Sequence, residues 1–375
     1  MWSEIKKIMG DKKSNADKID KIKIKDISLE NKQEIVNEFN KYFVNSIKTI
    51  VNDISETIEN EQGLNEYFTN HYNNVNNCIN DENGNSFLCE FDLVSYAEAK
   101  SIIKNLDNNK GSKLEINVKI IKLIWESNPN IILEVVNQSL KLGIMPNVWK
   151  LSTITPLRKI KNSENIEDFR PINTLPILEQ ILEQVVKNRL EKYLELKHIL
   201  NDEQFGFRKY FSCETAIQAS LTDWRKCLDK GMFIGVLFID FARAFETISI
   251  KVLIKKLKTI GIGGLILKWF VSYLSNRRQR VKLDNIFSDE IRNENGVPQG
   301  SKLGQLLFLI YVNDMIKLIN NLGVTCRLFA DDTKIYFASD DLEEIENTLN
   351  LSLSILYKWL LKNQMKINIK KTVFM

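Results

Sequence analysis

The chain has 375 residues, of which 44% are apolar and 27% charged, with a formal net charge of +4. That much apolar material excludes wholesale disorder and suffices for one large core or two ordinary domains. The faintly basic balance permits a nucleic-acid partner without arguing for one, and five scattered cysteines with no CxxC pair, beside only His71 and His198, offer no four-ligand zinc site.

Residues 1–30, rich in Lys and Asp, read as a loosely packed leader, and residues 1–10 hold no signal peptide. Ile35, Phe39, Phe43, Ile47 and Ile50 recur at helical spacing, which predicts a helix over 31–54. The Asn-dense stretch 60–85 reads as a linker. The expected division is therefore 1–86 as leader, helix and linker, and 87–375 as one continuous folded unit. Within that unit helices are expected over 92–106, 118–142, 175–194, 251–259, 265–274, 301–320 and 342–361. Strands are expected over 151–158, 232–241 and 281–283, with a hairpin over 326–338. Pro156 suggests an edge position for the first of these strands. Strands and helices mix without βαβ alternation, so the expected class is α+β. The apolar run Leu306 to Val312 falls short of the ~20 residues that span a bilayer, so the expectation is an intracellular protein, nuclear or cytoplasmic, with no membrane partner.

Two acidic positions stand out from the mixed-charge helices. The apolar strand Gly235 to Ile239 delivers Asp240 at its end, and Leu328-Phe-Ala delivers Asp331 and Asp332 at a tight turn. An unpaired carboxylate there would cost several kcal/mol if buried. A basic side chain or a divalent cation would each relieve it. Three carboxylates brought together repel one another until a cation binds, and Mg²⁺ suits such a site because it keeps waters and accepts phosphate oxygens. Between the acids, Gly296-Val-Pro-Gln-Gly-Ser-Lys-Leu-Gly304 opens directly into an apolar helix. It reads as an ordinary loop and N-cap, or as a close backbone approach to a base, with Gln299 offering a donor and an acceptor. The basic cluster Arg277, Arg278, Arg280 and Lys282 reads as a solvated turn or as a phosphate-contacting edge.

The ordered set FIDFARAF, GVPQGSKLG and FADD resembles the reverse transcriptases of non-LTR retrotransposons, particularly the jockey-like long interspersed elements. Trp149 to Lys159, Asp168-Phe-Arg170-Pro-Ile172, Gln204-Phe-Gly206-Phe-Arg208, Leu309 to Asp314, and Trp359 with Lys371-Thr372 resemble further motifs of that family in the family's order. The resemblance covers 87–375 well and 1–60 loosely. It implies right-hand polymerase fingers and palm, with an antiparallel palm sheet packed by helices. It implies an RNA-directed DNA polymerase adding deoxynucleotides to a primer 3′-hydroxyl by two-metal phosphoryl transfer, with two Mg²⁺ ions, an RNA template, a DNA primer and deoxynucleoside triphosphates. Asp240, Asp331 and Asp332 would be the catalytic metal set. Phe245 would act as a steric gate against a ribose 2′-hydroxyl. Gln299 would contact the nucleotide or template base, and Arg170 and Lys159 the triphosphate. Lys371 would protonate pyrophosphate. Gly206, Arg208, Arg277, Arg278 and Arg280 would lie along template and primer.

Some positions depart from the family pattern. Glu246 stands where Asp is usual, Gln305 where Pro is common, Phe211 where His is frequent, and the segment Lys110 to Ile116 is a residue short with Glu115 in the acid's place. The expected extent includes neither thumb nor endonuclease. A remnant that folds or binds nucleic acid without catalysis is the competing reading. The wording of the motifs argues against an intron maturase or a telomerase.

Overall fold

The structure is a computed structural model and describes residues 19–60, 88–108, 116–298 and 300–375. The first 18 residues, nearly all of the Asn-rich stretch, Lys110 to Glu115, and Gln299 lie outside the described residues.

The first described element is a hairpin of β1 (Ile22–Ile24) and β2 (Ile27–Leu29), where the sequence suggests only a loose leader. Lys25 turns it with a φ of 55°, and Ile22 is fully buried. Helix α1 follows (Lys32–Asn60). Its predicted apolar face is real: Ile35, Val36, Phe39 and Phe43 pack with Ile154, Phe169 and Val281 into one hydrophobic cluster. The described part of the N-terminal segment is therefore packed onto the following unit rather than held apart from it.

Helix α2 (Tyr96–Lys104) is capped by Ser95. The helix predicted over 118–142 is two, α3 (Val118–Ser127) and α4 (Pro129–Leu142). The break has a local cause. Pro129 has no N–H to continue α3, and Asn128 accepts from the Asn130 amide to start α4. Then come β3 (Leu151–Arg158), β4 (Phe169–Thr174), α5 (Ile177–Leu196), α6 (Cys213–Leu228), β5 (Phe233–Ile239), α7 (Ile250–Thr259) and α8 (Gly264–Leu274). They are followed by β6 (Arg277–Leu283), β7 (Ile286–Phe287), β8 (Ile291–Asn293), α9 (Lys302–Asn320), β9 (Thr325–Phe329), β10 (Asp332–Ser339), α10 (Leu342–Lys362) and β11 (Val373–Phe374).

The strands form two working sheets. One is antiparallel with order β11-β5-β10-β9, as expected for a palm. The other runs β4-β3-β6-β7, with β8 also on β6, and joins β3 to β6 in parallel. Two strand expectations need correction. Strand β3 is internal, not an edge. Pro156 is tolerated because β6 pairs β3 only as far as Ile154, leaving the proline beyond its reach. Strand β6 begins at Arg277, so the basic cluster is strand rather than turn.

Behind the antiparallel sheet lies the main core, with α9 at its centre. By length and composition α9 is apolar enough to cross a membrane, but 67% of its apolar window is buried inside the fold. It is the spine against which α5, α7 and α10 pack.

Candidate active site

Both acidic positions are set by the antiparallel sheet. Strand β5 runs beside β10 with Ile239 opposite Thr333. The next pair outward in that register is Asp240 and Asp332, so two apolar strands deliver carboxylates to the same end of the sheet. Asp331 lies in the two-residue connection between Phe329 and Asp332, which face each other across the hairpin. The first residue of that connection, Ala330, has a φ of 60°, a place that a two-residue hairpin usually gives to glycine. Holding alanine there costs on the order of 1–3 kcal/mol.

Asp331 is half-buried, and its carboxyl is pushed above the usual carboxylate range by loss of water and by the charges of Asp332 and Asp240, with Lys371 opposing. Asp240 accepts from Asn368 Nδ2 at 2.9 Å. Lys371 Nζ lies 3.5 Å from the same oxygen. As the side chains stand, no three acidic, histidine or cysteine side chains among the described residues already converge as a metal cluster. The donor set nevertheless suits a hard cation: oxygen ligands only, a desolvated carboxyl raised by like charges, and a lysine beside them. Asp240 and Asp332 open onto a depression of roughly 380 Å³ lined also by Ala216, Ile217, Phe238 and Lys371.

Other predicted residues gather nearby. Phe245 stacks on Phe308 with ring centroids 4.5 Å apart, and its carbonyl accepts from the Val297 amide at 2.9 Å. That bond, with the Gly296 amide donating to the Ile248 carbonyl at 2.8 Å, lays Gly296 and Val297 along the segment that follows β5. Gly296 is required there, because a Cβ would sit 2.5 Å from the Glu246 carbonyl. On the second sheet, Arg170 pairs with Leu157 across β3 and β4. Lys159 has its ammonium pKa lowered by loss of water and then by Arg243 and Arg170. Three cations therefore share one region, and Arg243 is one that sequence reasoning missed. Glu246 is partly buried, and its carboxyl is pushed up by loss of water, which Arg243, 3.5 Å away, opposes.

One site expectation is overturned. Arg277 does not present a phosphate-contacting edge. Its guanidinium is buried, 2.7 Å from the fully buried Glu179, and donates to the Tyr273 carbonyl. Gly206 is buried. It is packed against the acidic turn so closely that a Cβ would meet Ala330 N at 2.1 Å. Arg208 donates to the carbonyls of Asn201 and Gln204 and lies over the Phe211 ring. Arg278 pairs on the surface with Glu290, and Arg280 lies over Phe287.

Sequence reasoning also missed a buried polar cluster under the start of α9. Glu183 accepts from Tyr273 Oη at 2.5 Å, Ser301 Oγ at 2.6 Å and the Lys302 amide at 3.2 Å. Ser301 in turn caps α9 through the Gly304 amide. Glu183 and Glu179, four residues apart on α5, both carry carboxyls raised by burial. Their only available signal was two acids on the otherwise apolar inward face of an amphipathic helix.

A carboxylate pair on a hairpin turn, facing a third at the end of the neighbouring antiparallel strand, defines a polymerase palm. The chain belongs to the reverse transcriptase (RNA-dependent DNA polymerase) family, whose pattern it matches over residues 159–375. It is 29% identical to a probable RNA-directed DNA polymerase from transposon BS of Drosophila melanogaster, over 63% of this chain and 27% of that protein. It is 26% identical to the RNA-directed DNA polymerase from mobile element jockey of the same fly, over 74% of this chain and 31% of the relative. A third relative, the probable RNA-directed DNA polymerase from transposon X-element, is 30% identical over 55% of the chain and 23% of its own length. The chain thus spans less than a third of each relative, and the expectation of a jockey-like non-LTR reverse transcriptase holds.

Proposed function

We propose that this chain carries the nucleotidyl-transfer centre of an RNA-directed DNA polymerase, which extends a DNA primer along an RNA template using deoxynucleoside triphosphates. The observation that carries the reading is the delivery of Asp240, Asp331 and Asp332 to one end of one sheet by strands far apart in sequence. In this reading Asp240 and Asp331 hold the metal and Asp332 completes the acidic cluster. Two Mg²⁺ ions, when bound, supply activation of the primer 3′-hydroxyl and charge stabilisation of the leaving pyrophosphate.

The chain's own residues do the rest. Lys159 and Arg170 neutralise and orient the triphosphate, a task that dominates phosphoryl transfer. Phe245, fixed by its stack on Phe308, closes the space a ribose 2′-hydroxyl would need. Gln299 contacts the nucleotide or template base. Lys371 donates a proton to pyrophosphate in this reading, which its position 3.5 Å from Asp240 supports. Arg208, Arg278 and Arg280 contribute positive charge along template and primer, recognised by shape and backbone. The protein would act inside the cell, in nucleus or cytoplasm.

The test is primer extension on an RNA template with Mg²⁺, comparing the chain with Asp331→Ala. Extension is expected to fall at least about 100-fold in the variant. Extension that survives the substitution would sink the mechanism. Absence of extension by both proteins, with hybrid binding retained, would instead establish a folded but non-catalytic remnant.

A further inference from the structure

Gln204 is a polar side chain only 1% exposed, and no step above uses it. Its two ends are both spent on one neighbourhood. The carboxamide oxygen accepts from the Ala330 amide at 3.1 Å and from the Gly206 amide at 2.8 Å. The carboxamide nitrogen faces the Ala330 carbonyl at 3.3 Å. Ala330 is the residue whose positive φ sets the direction in which Asp331 and Asp332 leave the turn.

We propose that Gln204 is a positioning residue for the acidic turn: it grips both peptide groups that flank Ala330 and so holds Asp331 and Asp332 toward Asp240. The proposal rests on the metal-site reading of the three aspartates. A side chain bonded to the N–H and the C=O of one residue constrains the rotation on both sides of its Cα. That is the restraint an alanine needs at an angle it does not prefer.

The surroundings make the grip rigid. The segment carrying Gln204 lies along β9, with Leu328 N donating to the Glu203 carbonyl at 2.9 Å and Phe205 N to the Leu328 carbonyl at 2.8 Å. Arg327 holds the Glu203 carboxylate at 2.5 Å. Gly206 lets this backbone approach Ala330 to a distance no side chain would tolerate. Phe205 is buried beside it. The Gln204-Phe-Gly206 motif thus acts on the acids through the turn.

Two readouts test this in the whole chain. Hydrogen exchange at the Ala330 amide reads the brace with no metal present. Titration with Tb³⁺, followed by its luminescence, reads the metal site, which Asp331→Ala defines. Gln204→Met keeps the length of the side chain and removes its hydrogen bonds. It is expected to speed exchange at Ala330 and to weaken Tb³⁺ binding, each by about tenfold, the factor one ordinary net hydrogen bond represents. Gln204→Glu keeps both accepting contacts and should keep the slow exchange. Adding Ala330→Gly to Gln204→Met should restore Tb³⁺ affinity, because glycine takes the positive φ unaided.

Unchanged exchange and unchanged Tb³⁺ affinity in Gln204→Met would overturn the proposal, as would failure of Ala330→Gly to restore affinity. If Gln204→Met does not fold, the comparison of Ala330→Gly with the double variant decides: equal Tb³⁺ affinity supports the brace, and a tenfold gap overturns it. Should Asp331→Ala leave Tb³⁺ binding intact, the metal reading fails by itself, and the exchange rates still decide the brace.

Discussion

Asp331 shows what the site costs the fold. Its carboxyl is raised by loss of water and by Asp332 and Asp240, so the folded state favours its protonated form. A group of this kind weakens the metal-free protein once pH rises through its elevated pKa, and the penalty fades as pH falls through it. Asp331→Asn should therefore melt higher than the parent at pH 8 without metal, by roughly 1–2 °C, since partial exposure screens the repulsion. The gap should close in thermal melts taken at progressively lower pH. A gap that is constant with pH would assign the effect to packing instead of charge. Catalytic carboxylates commonly trade stability for function in this way.

At the scale of the element, β6 separates two arginines that look alike in sequence. Strand alternation turns Arg277, Gln279, Val281 and Leu283 inward, where all are buried, and leaves Arg278 exposed. Arg277→Ala strands the buried Glu179 carboxylate and should cost about 3–5 kcal/mol. Arg278→Ala breaks a surface pair and should cost less than ~1 kcal/mol. Urea unfolding of both variants measures the contrast, and equal losses would refute the buried assignment. The same strand marks the limit of what the sequence made legible. Strands β5, β9 and β10 and helices α9 and α10 announce themselves by apolar period, and the three aspartates by ending apolar runs. The inward face of β6 carries Arg277 and Gln279, so periodicity pointed to a turn. The contacts that Gln204, Asn368 and Glu183 make were not legible, because their partners lie far off in sequence.

At the scale of the molecule, helix α1 ties the two sheets together. Its apolar face covers β3, β4 and β6. Tyr42 lies under the Arg243 guanidinium, and Asp53 meets Lys366 at 3.0 Å near the acidic end of the other sheet. Phe39 is fully buried between Phe43 and Phe169. Phe39→Ala should cost about 3–5 kcal/mol, read by denaturant melts. It should lower primer extension at temperatures where the acids are still in place, as reported by intact Tb³⁺ binding. Loss of extension in step with loss of Tb³⁺ binding would show instead that the whole protein had melted.

The order of strands in the palm has a consequence for how the protein comes to exist. Strand β5 is flanked by β10 and β11, and Phe238 is paired with Lys334 on one side and with Val373 on the other. A ribosome releases β5 long before either neighbour, with apolar residues and open edges exposed in the meantime. The sheet that aims the acids therefore closes only after strands far apart in the chain have both emerged, and non-local pairing of that kind is slow to form.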